Sequence, residues 1–234
     1  MNRRTLLGAS VAAGVAAALP QAVRAADLGV AAPPLKVPAD GKIRVAFMIS
    51  SGANVIDLAG AWETFQDVML PNGDMPFELF TISETTSIVE MTGGLRIEPS
   101  YSFGADDIPH TNILVVGAQS DGSEAFMKLL RDVQGKLDLT MSVCTGAFKL
   151  AKSGILDGKS ATTHHEYYDE FAKQYPKVRL VRGARFVDNG SVITAGGLTS
   201  GISAALHVIS RYYDAPTAAK TAAYMEFTPT PRAG

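Results

Sequence analysis

Three features of the sequence predict an α/β fold, a three-layer sandwich built on a mostly parallel sheet. Strand-like apolar segments alternate with helix-patterned ones along the chain, the order that gives a parallel sheet with helices on both faces. The segments "KIRVAFMI" and "NILVVGA" are apolar enough for strands buried on both sides. The segment "TMSVCTGAF" (140–148) passes from strand pattern to helix pattern with no loop between them. That junction predicts a nucleophile elbow with Cys144 at its apex.

Each element has its own signal. Lys42–Ile49 reads as the first strand, and "SSGAN" as the loop after it. From Val55 the apolar positions are 55, 58, 59, 62, 65 and 69, which is helical spacing. Pro71-Asn72-Gly73 ends that helix by Leu70. Phe77–Ser83 is a second strand, and short strands surround Gly93-Gly94. Asn112–Ala118 is a strand, Glu124–Val133 a helix, "LDLTMSV" a strand and Thr145–Lys152 a helix closed by Gly154. "ATTHHEYYDEFAKQYP" begins as strand and becomes helix, stopped by Pro176. "SVITAGG" is a strand, "SGISAALHVISRYY" a helix, and a last helix runs from about Pro216 to Met225.

The ends of the chain are of a different kind. Residues 1–25 pair Arg3 and Arg4 with an uncharged stretch and a small-x-Ala site at Val23-Arg24-Ala25, the layout of an export signal. Its apolar part, Leu6 to Leu19, is 14 residues, short of the roughly 20 that span a bilayer. The twin arginines favour the twin-arginine route and hence a periplasmic protein. Residues 26–41, rich in Ala and Pro, read as a linker or surface arm, 42–227 as the folded domain and 228–234 as a tail. Without the signal's three arginines the chain has 18 basic and 23 acidic residues, a net charge of −5. No basic run stands out, which argues against nucleic-acid binding. One cysteine allows no disulfide within the chain.

That cysteine is the first candidate for chemistry. Ser142-Val143-Cys144-Thr145-Gly146 follows the elbow frame of small, x, nucleophile, x, glycine. A helix amino end next to sulfur is expected to favour the thiolate. A reacting elbow also needs donors for developing charge: the N–H of Thr145 and the Gly117-Ala118 backbone are the candidates. Asp57, one turn into the first helix among apolar neighbours, is the candidate proton carrier, with desolvation expected to raise its pKa. His164 or His165 could pair with the cysteine. Neither histidine nor cysteine spacing suggests a metal site.

Taken together, "VIDLAGAWETF", "SVCTGAFKLAKSGILDGKSATTHHEYYDEFAKQYPKVRL" and "ITAGGLTSGISAALHVI" resemble the ThiJ/PfpI superfamily, with its class I glutamine-amidotransferase-like fold. Within it they are most similar to isonitrile hydratases and to the sensor domains of AraC-type regulators. The resemblance implies a homodimer with an elbow cysteine and no cofactor. It implies Cys144 and Asp57 as a catalytic pair assisted by Thr145, with His164 at the family's histidine position. Two positions depart from the family pattern. Gly117-Ala118-Gln119 stands where relatives carry Pro-Gly-Gly, and His165 stands where this branch carries an aromatic. Protease-like members have a histidine directly after the cysteine, and Thr145 there argues against proteolysis.

The leading expectation is therefore a lyase of the isonitrile hydratase kind. It would convert a small isonitrile to an N-substituted formamide through a Cys144 thioimidate. The alternatives are a periplasmic ligand-binding protein, since an exported chain ending at Gly234 is not expected to be a transcription factor, and a redox or carbonyl-stress protein that oxidises Cys144 reversibly.

Overall fold

The computed structural model describes residues 32–120 and 122–228. The segment read as an export signal lies outside them. The central sheet has seven strands. In chain order these are β1 (Ile43–Met48), β2 (Phe77–Ser83), β5 (Tyr101–Ser102), β6 (Ile113–Val116), β7 (Leu139–Ser142), β10 (Phe186–Asp188) and β11 (Val192–Ala195). They lie side by side as β10-β11-β7-β6-β1-β2-β5. All neighbours run parallel except β10, which pairs antiparallel with β11. Two small pairs stand apart: β3 (Val89–Glu90) with β4 (Arg96–Ile97), and β8 (Ser160–Ala161) with β9 (Arg179–Leu180).

Alternation along the strands builds the layers. Ile43, Val45 and Phe47 of β1 enter one core with α1 (Val55–Gln66), α5 (Ser200–Tyr212) and α6 (Ala215–Tyr224). Ala46 and Met48 enter the other, with α2 (Glu124–Val133), α3 (Gly146–Lys152) and α4 (Tyr168–Gln174). Strand β6 divides the same way, Ile113 and Val115 to the first face and Leu114 and Val116 to the second. The three-layer α/β architecture is as the sequence predicts.

Some boundaries moved. The first helix ends at Gln66, capped at its start by the Asn54 side chain. The helix after the His164-His165 pair begins with a 3-10 turn at His165–Tyr167. Strand β10 is not legible in the sequence, because Phe186-Val187-Asp188 is only three residues long, too short for an alternating pattern to register. The segment 32–41 is more than a linker. Leu35 donates its N–H to Arg211 O at 2.8 Å, and Leu35 and Val37 pack on the first core.

Candidate active site

The site forms where β6, β7 and β11 end and α1 begins. Strand β7 ends at Ser142, and the chain turns at once into α3. Cys144 occupies the turn with φ +58°, a left-handed conformation rare for a residue with a Cβ. Gly146 explains the glycine of the frame. A Cβ there would lie 2.0 Å from the Val116 carbonyl oxygen, a rigid backbone atom. Three hydrogen bonds hold the turn. Val143 N–H reaches Val116 O at 3.0 Å, Cys144 N–H reaches Gly196 O at 2.8 Å, and the Thr163 hydroxyl donates to Cys144 O at 2.9 Å.

Asp57 comes from the first turn of α1 and is fully buried. The approach of α1 to β6 depends on Gly117, whose Cβ, if present, would sit 2.9 Å from Asp57 Cβ. Two reciprocal bonds lock that approach: Asn54 N–H to Ala118 O at 2.8 Å, and Ala118 N–H to Asp57 Oδ2 at 2.9 Å. From the sequence, the Gly117-Ala118 backbone is a candidate donor to a developing anion. The structure gives it to the acid. The other carboxyl oxygen, Oδ1, is buried with no conventional partner among the described residues, and the carboxyl couples to the Cys144 thiol.

Burial governs the charges of both groups. Desolvation raises the Asp57 pKa to about 6, against the opposing hydrogen bonds from Ala118 and Cys144. Desolvation also pushes the Cys144 thiol up to about 11, and the facing Asp57 charge adds to it. Hydrogen bonds from the N–H groups of Thr145 and Leu198 pull the other way and are outweighed. This corrects the expectation of a resting thiolate beside a protonated acid. Taking sulfur and carboxylate together out of water costs more than the short helix α3 returns, so the shared proton rests on sulfur at neutral pH.

Thr145 is half-buried directly after the nucleophile and caps α3 without a side-chain hydrogen bond. Asp57, Cys144, Thr145, Gly117 and Ala118 thus meet at one place. His164 stands behind the next loop. Its ring lies against Gly197, where a Cβ would come within 2.2 Å of Cδ2, and its Nδ1 accepts the Glu166 N–H at 3.3 Å. His165 is exposed and stacks on His164 at 4.5 Å. Leu198 and Thr163 were missed in the sequence. The Gly-Gly before Leu198, at a strand end, was the available signal for the first. Among the described residues no group of three or more His, Cys, Asp or Glu is placed to hold a metal.

A cysteine on a left-handed elbow at the carboxyl end of a parallel sheet, faced by a buried acid from the first helix, defines a class of α/β proteins built around an elbow cysteine. The chain belongs to the DJ-1/PfpI family, whose pattern matches residues 43–211. It is 27% identical over 195 residues to isonitrile hydratase of Pseudomonas putida, covering 81% of this chain and 80% of that protein. It is also 25% identical over 171 residues to the HTH-type transcriptional regulator GbdR of Pseudomonas aeruginosa, covering 71% of this chain and 46% of the regulator. In structure it resembles a THiJ/PfpI family protein from Pseudomonas syringae, with a TM-score of 0.67 at 22% identity, over 82% of this chain and 78% of that one.

Proposed function

We propose that the protein is a hydratase of isonitriles or closely similar small electrophiles. The observation that carries this reading is the buried Asp57–Cys144 pair, which holds one movable proton in a dry setting. The similarity to isonitrile hydratase along most of both chains supports it. The sulfur of Cys144 forms a bond to the terminal isonitrile carbon while Asp57 accepts the thiol proton. Asp57 then gives that proton to the same carbon, which leaves an S-linked thioimidate, R–N=CH–S. Water adds across the C=N bond. Collapse of the adduct expels the thiol and yields R–NH–CHO. Each proton taken up by the product comes from the thiol or the water, so the cycle balances without a cofactor. A cavity of about 10 Å³ borders Asp57, Asn54 and Gln119, close to the room one water molecule needs.

In this reading Thr145 N–H stabilises charge on sulfur, its hydroxyl relays a proton, and Gly117 permits the acid's close approach. We further propose that the protein is exported, on the Arg3-Arg4 segment, and acts as a homodimer. Incubation with a simple alkyl isonitrile tests the activity. Formamide should appear with the wild type and not with Cys144→Ala; equal product from both ends the hydratase reading.

One observation favours a second reading, a ligand-binding protein. The resting thiol is held near pKa 11, and regulators share this domain. Alkylation of Cys144 no faster than that of a free model thiol, with no turnover, would select it.

A further inference from the structure

We infer that Gln119 is a positioning residue for the acid: it and Asp57 hold one water molecule between them in the small cavity at the head of α1, and that water keeps the buried carboxyl able to ionise. The cavity measures about 10 Å³, and its walls include Ile49, Ala53, Asn54, Asp57, Gly117 and Gln119. A cavity of this size takes one water where polar groups face it and stays dry where its lining is apolar. Two acceptors belong to this lining. Asp57 Oδ1 and Gln119 Oε1 are both buried, and neither has a conventional hydrogen-bond partner among the described residues. Asp57 is buried completely.

The amide nitrogen fixes the orientation of Gln119. Nε2 donates to Met48 O at 3.1 Å and to Gly117 O at 3.4 Å. Both partners are carbonyl oxygens, which only accept, so the amide does not turn over. Oε1 is therefore left as an acceptor without a donor. The acid is in a similar position. Its Oδ2 receives the Ala118 N–H at 2.9 Å, and a carboxylate has sites for further donors even with the Cys144 thiol facing it. An ionised carboxylate and an amide oxygen do nothing for each other, since neither carries a hydrogen. Water carries two, one for each.

Burial disfavours the charged carboxylate, and every donor aimed at it favours that form. The water held by Gln119 offsets part of the burial, so Asp57 is ready to take the thiol proton. Cys144 does not line this cavity. The water thus serves the acid without standing where sulfur meets an electrophile. Among the described residues Cys144 is the titratable group that acts on Asp57, so a change made at Gln119 reaches the acid through the water.

The inference rests on the Asp57–Cys144 pairing of the proposed function and not on the electrophile, so neither of its tests uses an isonitrile. A high-resolution crystal structure should show an ordered water within about 3.2 Å of both Gln119 Oε1 and an Asp57 carboxyl oxygen. Clear density for the two side chains with none for the water overturns the inference. The second test reads the acid itself. Gln119→Met keeps the length of the side chain and removes the amide. The Asp57 Cγ resonance is followed by carbon NMR through the carboxyl titration in both proteins. The midpoint of the variant should lie about one pH unit above that of the wild type, as for loss of one hydrogen bond to a charged group. A midpoint that stays or moves down overturns the positioning role even where the water is present. If the variant does not fold, the crystal structure decides. A protein without hydratase activity can still give both results, and failure of either leaves the formamide assay standing.

Discussion

Asp57 and Cys144 hold one proton between them from about pH 6 to about pH 11. Turnover that needs that one-proton pair should rise as Asp57 ionises near pH 6, hold level, and fall toward pH 11 as the last proton leaves. A kcat/KM profile against pH would show both limbs; a flat acid limb would mean that Asp57 takes no part. The same burial affects folding. The Asp57 pKa is raised from 3.8 in the unfolded chain to about 6 in the folded one. Its contribution to stability is therefore fully present below pH 3.8 and is lost as pH rises through 6. Above that, the ionised buried carboxylate costs about 3 kcal/mol. Asp57→Asn keeps the acceptor for Ala118 N–H and removes the charge. It should gain about 2 kcal/mol in urea unfolding at pH 8, gain little at pH 4, and abolish turnover. Equal stability of the two proteins at pH 8 would show that the carboxylate is not strained by burial.

The elbow and the head of α1 each depend on one glycine, for separable reasons. At Gly146 the obstacle is a backbone oxygen that cannot move without breaking the β6–β7 pairing, so Gly146→Ala should prevent the elbow from forming. At Gly117 the obstacle is the Asp57 side chain. Gly117→Ala should fold with a loss of about 1–3 kcal/mol and push α1 outward. Its kcat should fall further than its affinity for substrate, which steady-state kinetics beside thermal unfolding would separate. The elbow was legible in the sequence because its frame is local: Ser142, Cys144 and Gly146 lie within five residues, and crowding at one turn dictates their size. The helices were legible too, since Ser123 and Asn54 cap them and their apolar stripes are regular. Leu198 was not legible. Its conformation is a backbone angle set by the assembled turn, and a leucine gives no local sign of a left-handed residue. The rest state of the cysteine was misread for a related reason. A helix end is visible in sequence, but the depth of burial that outweighs it is a property of the assembled layers.

At the scale of the whole molecule, the far edge of the sheet carries a polar cluster that fastens the two ends of the fold. The Asp188 side chain on β10 is fully buried and meets Arg211 at 3.1 Å and His207 at 2.7 Å. The same guanidinium donates to Pro33 O at 2.9 and 3.1 Å and to Gly190 O at 2.7 Å. Arg211 thus ties the segment at 32–37 to α5 and to the edge strand. In sequence that segment looks like a proline-rich linker, because its partner lies 178 positions away and its two apolar residues show no periodicity. Removing one member of such a cluster leaves a buried charge uncompensated. Arg211→Met keeps much of the side-chain volume and should lower stability by about 3–5 kcal/mol. It should also expose the chain near residues 32–41 to protease before the rest of the domain unfolds. Adding Asp188→Asn removes the stranded charge, so the double variant should recover part of the urea midpoint while the arm stays sensitive to protease. Those two readouts separate charge compensation from the tether. A single variant with an unchanged midpoint and an uncut arm would show that the cluster does neither, and that Leu35 and Val37 hold the arm by packing alone.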